Sequence, residues 1–162
     1  MDRTIVDQYE RGGEKLRKAI AGLDSALLSR SPDSAWNSGK WTIAQVLVHL
    51  QDAETAFGDR IRRILAMENP SLLVWDENKF FDRLNYDRQS AEDAVILIDL
   101  TRRQLARVLR AASDADLQRS GQHSEAGKQT VLDVLTKANS HLDHHLRFVQ
   151  LKRERFLETA KP

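Results

Sequence analysis

Helix breakers are scarce in this chain, and their scarcity constrains its fold more than any other feature. There are three prolines, Pro32, Pro70 and Pro162, and seven glycines among 162 residues. Long stretches carry neither, and they are rich in Ala, Leu, Arg, Glu and Gln, which is helical composition. Strands would need alternating β-branched runs between turns, and no persuasive run of that kind is present. The expected class is all-α.

Four helical segments are expected. The first spans about Thr4 to Leu28, with Ile5, Tyr9, Leu16, Ile20, Leu23 and Leu27 on its apolar side and Gly12-Gly13 weakening it. Ser31-Pro32 opens a loop to Lys40. The second starts at Thr42, where "TIAQ" is a capping-box signature. Ile43, Val46, Leu47, Leu50, Phe57, Ile61 and Leu65 then recur with a helical period, and Pro70 bounds the end near Met67. A long connection, "ENPSLLVWDENKFFDRLNYDRQ", holds a short helix after Asp76. The third helix runs from the "SAED" cap at Ser90 to about Ala111, burying Val95, Ile98, Leu105, Val108 and Leu109. A polar loop, "SDADLQRSGQHSEAGKQ", precedes a fourth helix from Thr130 to about Glu158. Four amphipathic helices and one core make a four-helix bundle with a long crossover connection, a single domain over residues 1–162.

Composition narrows the function. Lys plus Arg is 25 and Asp plus Glu is 24, a net charge of +1. That balance gives no global reason to expect nucleic acid or an anionic membrane as partner. The local cluster Arg60, Arg62 and Arg63 has acids close by and reads as a solvated helix face. The chain has no cysteine, so thiolate catalysis and Cys-ligated metal are excluded. The N-terminus lacks the apolar stretch of a signal peptide, and no segment approaches a membrane span, so a cytoplasmic location is expected.

Three of the five histidines fall within "SHLDHHLRF", Ser140 to Phe148. Helical geometry separates them. Val131, Leu135, Ala138, Leu142 and Val149 define one apolar stripe; His145 falls within it, His141 at its edge, and His144 towards solvent. His141 and His145 are four residues apart, so one helix face presents two imidazoles, a spacing that suits one metal ion. His49 flanks the stripe of the second helix and can complete a three-nitrogen site between facing helices. The bland readings stay open: a core-facing histidine is often a hydrogen-bonded core residue, and a His-x-x-x-His pair arises by chance. His123 lies in the loop before the fourth helix.

The residues "WTIAQVLVHLQDAE" (Trp41 to Glu54), "WDENKF" (Trp75 to Phe80), "GQHSEAGKQTVLDVL" (Gly121 to Leu135) and "HLDHHLRF" (His141 to Phe148) carry a resemblance. In that order, the chain resembles the DinB-like superfamily of bacterial metalloenzymes, also called DinB/YfiT-like, over roughly Trp36 to Val149. The resemblance implies a four-helix bundle with a long crossover and a divalent metal, usually zinc or nickel. By motif match, His49, His141 and His145 are the ligands. It also implies thiol-dependent S-transferases and isomerases using low-molecular-weight thiols, and frequent homodimers. Phe148 departs from the family, which often carries Gln near that position.

Three neutral imidazoles would leave a divalent ion its full charge and an open position, as in catalytic sites. The leading expectation is a metal-dependent enzyme activating a thiol cosubstrate for transfer to a small molecule. The rivals are a hydrolase activating water and a non-catalytic stress-response or binding bundle, for which the first helix would supply an exposed apolar stripe. Asp52 and Asp143 are candidates to orient the imidazoles. Ala53 and Ala56 would leave room for a ligand. Arg60 is a candidate for a substrate carboxylate, His123 for a general acid or base, and Trp75 and Asp76 for a wall or lid that binds the cofactor.

Overall fold

The computed structural model describes residues 3–159. The first segment folds as α1 (Thr4–Glu10), α2 (Gly12–Ile20) and the short α3 (Ser25–Leu28). Arg11, between α1 and α2, keeps right-handed helical angles (φ −70°, ψ −7°), so the break is slight. Gly12 and Gly13 permit close packing rather than loosening the arm. A Cβ on Gly12 would meet the Arg102 guanidinium, and one on Gly13 would stand 2.7 Å from the Asp99 Cα.

The bundle is completed by α4 (Ile43–Ala66), α6 (Ala91–Ala111) and α8 (Val131–Thr159), with α5 (Glu77–Arg83) in the crossover and α7 (Asp114–Leu117) before the last helix. Each start has its chemistry. The Gln45 amide donates to Thr42 Oγ1 at 3.1 Å, and the Thr42 amide donates to Gln45 Oε1 at 2.9 Å, a reciprocal capping box. The Asp93 amide donates to Ser90 Oγ at 3.1 Å, and Thr130 and Asp133 exchange the same kind of bonds before α8. The α1–α2 arm and α4 each pack against both α6 and α8.

Two apolar clusters fill the interior. One gathers Val6, Tyr9, Phe57, Ile61, Leu105 and Leu135; the other gathers Leu16, Leu47, Ile98, Leu142, Val149 and Phe156. A polar layer lies at the level between them. The buried Arg102 donates to Glu54 Oε2 at 2.7 Å, to the Tyr9 carbonyl at 3.2 Å and to the Ala138 carbonyl at 3.1 Å, while the Tyr9 hydroxyl donates to Glu54. Every member has a partner, as a buried charge requires.

Three differences from the sequence reading stand out. First, the crossover connection and the polar loop hold strands: β1 (Ser71–Leu72), β2 (Ser120–His123) and β3 (Gly127–Thr130) form a small sheet in that order. β1 runs parallel to β2 with Leu72 opposite His123, and β2–β3 is an antiparallel hairpin. The inward positions of β2 are Gly121 and His123, so the alternation exists without β-branched residues. Second, Val108 is exposed. It shares α6 with exposed Ile96, Leu97 and Leu100, so α6 rather than the first helix carries an exposed apolar stripe, and Leu73 and Val74 add exposed apolar surface on the crossover. Third, Ile20, Leu23 and Leu27 pack at the edge of the second cluster, whereas Val6 and Ala19 take the fully buried places. No helix among the described residues is long and apolar enough to cross a membrane.

Candidate metal centre

The capping box at Thr42 fixes where α4 begins, and two turns later His49 is delivered fully buried into the bundle. On α8, the inward stripe brings His141 and His145, one turn apart, to face it. The three side chains converge through Nε2. His49 Nε2 lies 3.3 Å from His141 Nε2 and 3.1 Å from His145 Nε2. Metal–nitrogen bonds of roughly 2.0–2.1 Å in a tetrahedron give an N···N edge of about 3.3 Å. His49 Nε2 is also within hydrogen-bond distance of both neighbours, yet one imidazole N–H can serve only one of them. The donor set therefore fits a cation better than a hydrogen-bonded triad.

The protonation states agree. Burial holds His49 down to about 3, reinforced by His145 and His141. Burial holds His141 down to about 4, with His144 and Arg102 adding to it, and His145 down to about 3, with His141 and His144 adding to it. All three are neutral at pH 7, with lone pairs available. Aromatic rings wall the cluster: Trp41 and Trp75 lie 5.0 and 5.3 Å from the His49 ring, and Phe57 lies 5.7 Å from that of His141.

Glu77, which the sequence reading did not single out, completes the mouth of this cluster. Its Oε2 stands 3.9 Å from His49 Nε2. With His49 neutral, the contact is not an ion pair between the two. Asp76 places it: as the N-cap of α5, Asp76 accepts from the Lys79 amide at 3.1 Å and starts the helix one residue before Glu77. The readable signal was an acidic N-cap followed by Glu in "WDENKF". Trp75 forms a wall against His49, and its buried indole Nε1 has no hydrogen-bond partner among the described residues.

A cleft of about 210 Å³ opens beside His141 and Glu77 and reaches His123 and Arg60. His123 is buried, and its Nδ1 accepts from the Glu125 and Ala126 amides at 3.2 and 3.1 Å. Its proton therefore sits on Nε2, and burial with Arg60 and Lys137 nearby lowers its pKa. Arg60 is buried too and donates to the Leu73 carbonyl at 2.7 Å, tying the crossover to α4. Asp52 and Asp143 are not the orienting acids. Asp52 accepts from the Tyr86 hydroxyl at 2.6 Å, Asp143 pairs with Lys15 at 2.7 Å, and the buried His49 Nδ1 has no partner among the described residues. His144 is exposed, as its place on the helix predicts.

The sequence profile of the DinB superfamily matches residues 8–149. The chain belongs to the DinB superfamily. Its relatives include a provisionally named metal-dependent hydrolase of Oceanobacillus iheyensis, 25% identical over 145 residues and covering 90% of this chain and 84% of its own length. Another of the same provisional name, from Bacillus mycoides, is 22% identical over 151 residues, covering 93% of this chain and 87% of its own. In fold, this DinB-superfamily chain is similar to YfiT from Bacillus subtilis, described as a probable metal-dependent hydrolase with an unusual four-helix bundle topology. The TM-score is 0.83 at 20% identity, over 94% of this chain and 86% of YfiT.

Proposed function

We propose that this DinB-superfamily chain is a divalent-metal-dependent hydrolase of a small molecule, with His49, His141 and His145 as ligands to zinc or nickel. The observation that carries the reading is the carboxylate of Glu77 beside three neutral, convergent imidazoles. A divalent ion held there would supply Lewis acidity and ease loss of a proton from the nucleophile. The protein's own groups do the rest. Glu77 accepts a proton from water and returns it to the leaving atom as the scissile bond breaks. His123 keeps Nε2–H free to hydrogen-bond a developing oxyanion in the shared cleft, while Trp75 and Phe57 limit water.

Thiol-dependent transfer would use the same three nitrogens. Glu77 favours hydrolysis over it, because water at neutral pH needs a nearby base more than a thiol does. The test begins with metal content after purification without a His tag. About one equivalent is expected in wild type, and a loss of most of it in His145→Ala. Metal-loaded Glu77→Gln should keep its metal and hydrolyse activated esters and amides roughly 100-fold more slowly. Turnover that appears only when a small thiol is supplied would replace hydrolysis by transfer, and a metal-free wild type would remove the reading altogether.

A further inference from the structure

A second pocket, lined by His145 and not by His123, adjoins the metal centre. It has a volume of about 330 Å³ and runs between the loop at Ser38 and the outer turn of α8. Trp41, Val46 and Phe148 form its apolar walls. Two polar groups face it that the fold leaves unused. Lys152 is only 1% exposed and makes no hydrogen bond or ion pair among the described residues. Its Nζ lies 5.9 Å from the centre of the Phe148 ring, and its charge also acts on His145. Ser38 is 2% exposed, and its hydroxyl has no hydrogen-bond partner among the described residues. Left-handed backbone at Asn37 and Gly39 (φ 50° and 76°) holds Ser38 in place.

A buried cation with no counter-ion is costly, and a buried hydroxyl without a partner adds to the cost. The fold keeps both in one pocket, walled by aromatic rings and bordering a metal ligand. Burial alone lowers Lys152 to about 8, so it is still an ammonium at neutral pH. We propose that this pocket binds the carboxylate of a small amphipathic substrate, with Lys152 as its counter-ion, Ser38 as a hydrogen-bond donor, and Trp41 and Phe148 against its apolar body. Lys40 also lines the pocket but is exposed, so Lys152 is its one buried ammonium and balances one negative charge inside. A dianionic phosphate would leave a charge uncompensated between apolar walls, so a monocarboxylate fits best. Because His145 lines the same pocket, a substrate anchored at Lys152 extends its far end towards the three histidines. The substrate class of the hydrolase reading is then a carboxylate-bearing ester or amide. The pocket stands on its own residues, although its place in catalysis rests on that reading.

The probes are phenylacetate, neutral phenylacetamide and phenyl phosphate, titrated against tryptophan fluorescence. Each titration is run on the protein as purified and after metal removal. Phenylacetate should bind at least tenfold more tightly than the amide or phenyl phosphate in both preparations. Lys152→Met, which keeps the length of the side chain, should weaken phenylacetate at least tenfold with metal content unchanged, and Ser38→Ala should weaken it severalfold. Equal affinity for acid and amide overturns the proposal, and that comparison on wild type holds whether or not Lys152→Met folds. Tighter binding of phenyl phosphate overturns the choice of a carboxylate. Binding that vanishes with the metal yet survives Lys152→Met places the carboxylate on the metal and also overturns it. A wild type with no metal would sink the hydrolase reading while leaving the anion test intact.

Discussion

His49, His141 and His145 are kept neutral by the burial that brings them together, and this has a consequence for the metal-free protein. In the unfolded chain an imidazole titrates near 6.5. In the fold the three sit at about 3, 4 and 3. Between those values the unfolded chain binds protons that the folded one refuses, so stability falls as pH drops below 6.5. Above 6.5 all three are neutral in both states and contribute no slope. Urea unfolding of chelator-treated protein should show midpoints falling from pH 6.5 to 5, before most carboxylates titrate. His49→Phe should flatten that fall, and parallel curves for the two proteins would contradict it. The inward pair was legible in the sequence because spacing alone puts His141 and His145 on one face. Glu77, Ser38 and Lys152 were harder to see. Glu77 and Ser38 stand on the crossover and in a loop, where no periodicity points to them, whereas Lys152 falls on the inward stripe of α8 with Val149 and Phe156 but stands in a run of charges that reads as surface.

Glycines separate the helices into close and loose contacts. Gly13 lets α2 come against Asp99 on α6, and a Cβ there would collide with backbone that cannot move aside cheaply. Gly13→Ala should therefore lose about 1–3 kcal/mol, a fall in thermal midpoint of about 5 °C. Gly58 is the contrast. It sits inside α4, and an added Cβ would come 2.9 Å from the tip of the Arg62 side chain, which can swing away. Gly58→Ala should gain up to about 1 kcal/mol by stiffening the helix and its unfolded state. Opposite shifts in thermal midpoint check the pair together. At this scale the sequence showed the long helices clearly, through Thr42, Ser90 and the apolar stripes they start. It hid the β-hairpin because Gly121 is required by closeness to the Pro70 carbonyl and His123 by its own turn, not by strand propensity. It also assigned Val108 to the core, a place that the packing of α6 gives to Ala106, while Leu109 is buried as expected.

A metal held by the proposed ligands would couple the whole bundle, because those ligands come from helices far apart in the chain. His49 belongs to α4, His141 and His145 to α8, and Glu77 to the crossover that Arg60 ties down through Leu73. A cation that binds this arrangement and not the unfolded chain stabilises the fold by mass action, about 4 kcal/mol at a thousandfold excess over its Kd. For a domain of this size, each kcal/mol moves the thermal midpoint by roughly 2–4 °C. Chelation should lower the wild-type midpoint by about 10 °C, and returning one equivalent of zinc or nickel should restore it. His145→Ala should begin at the lower value and respond to neither treatment. Lys152→Met should respond like wild type, since the pocket it lines is beside the ligands and not among them. A wild-type midpoint indifferent to chelator would mean that the two helices are held together by their apolar stripes alone, with the histidines spectators at the edge of the core.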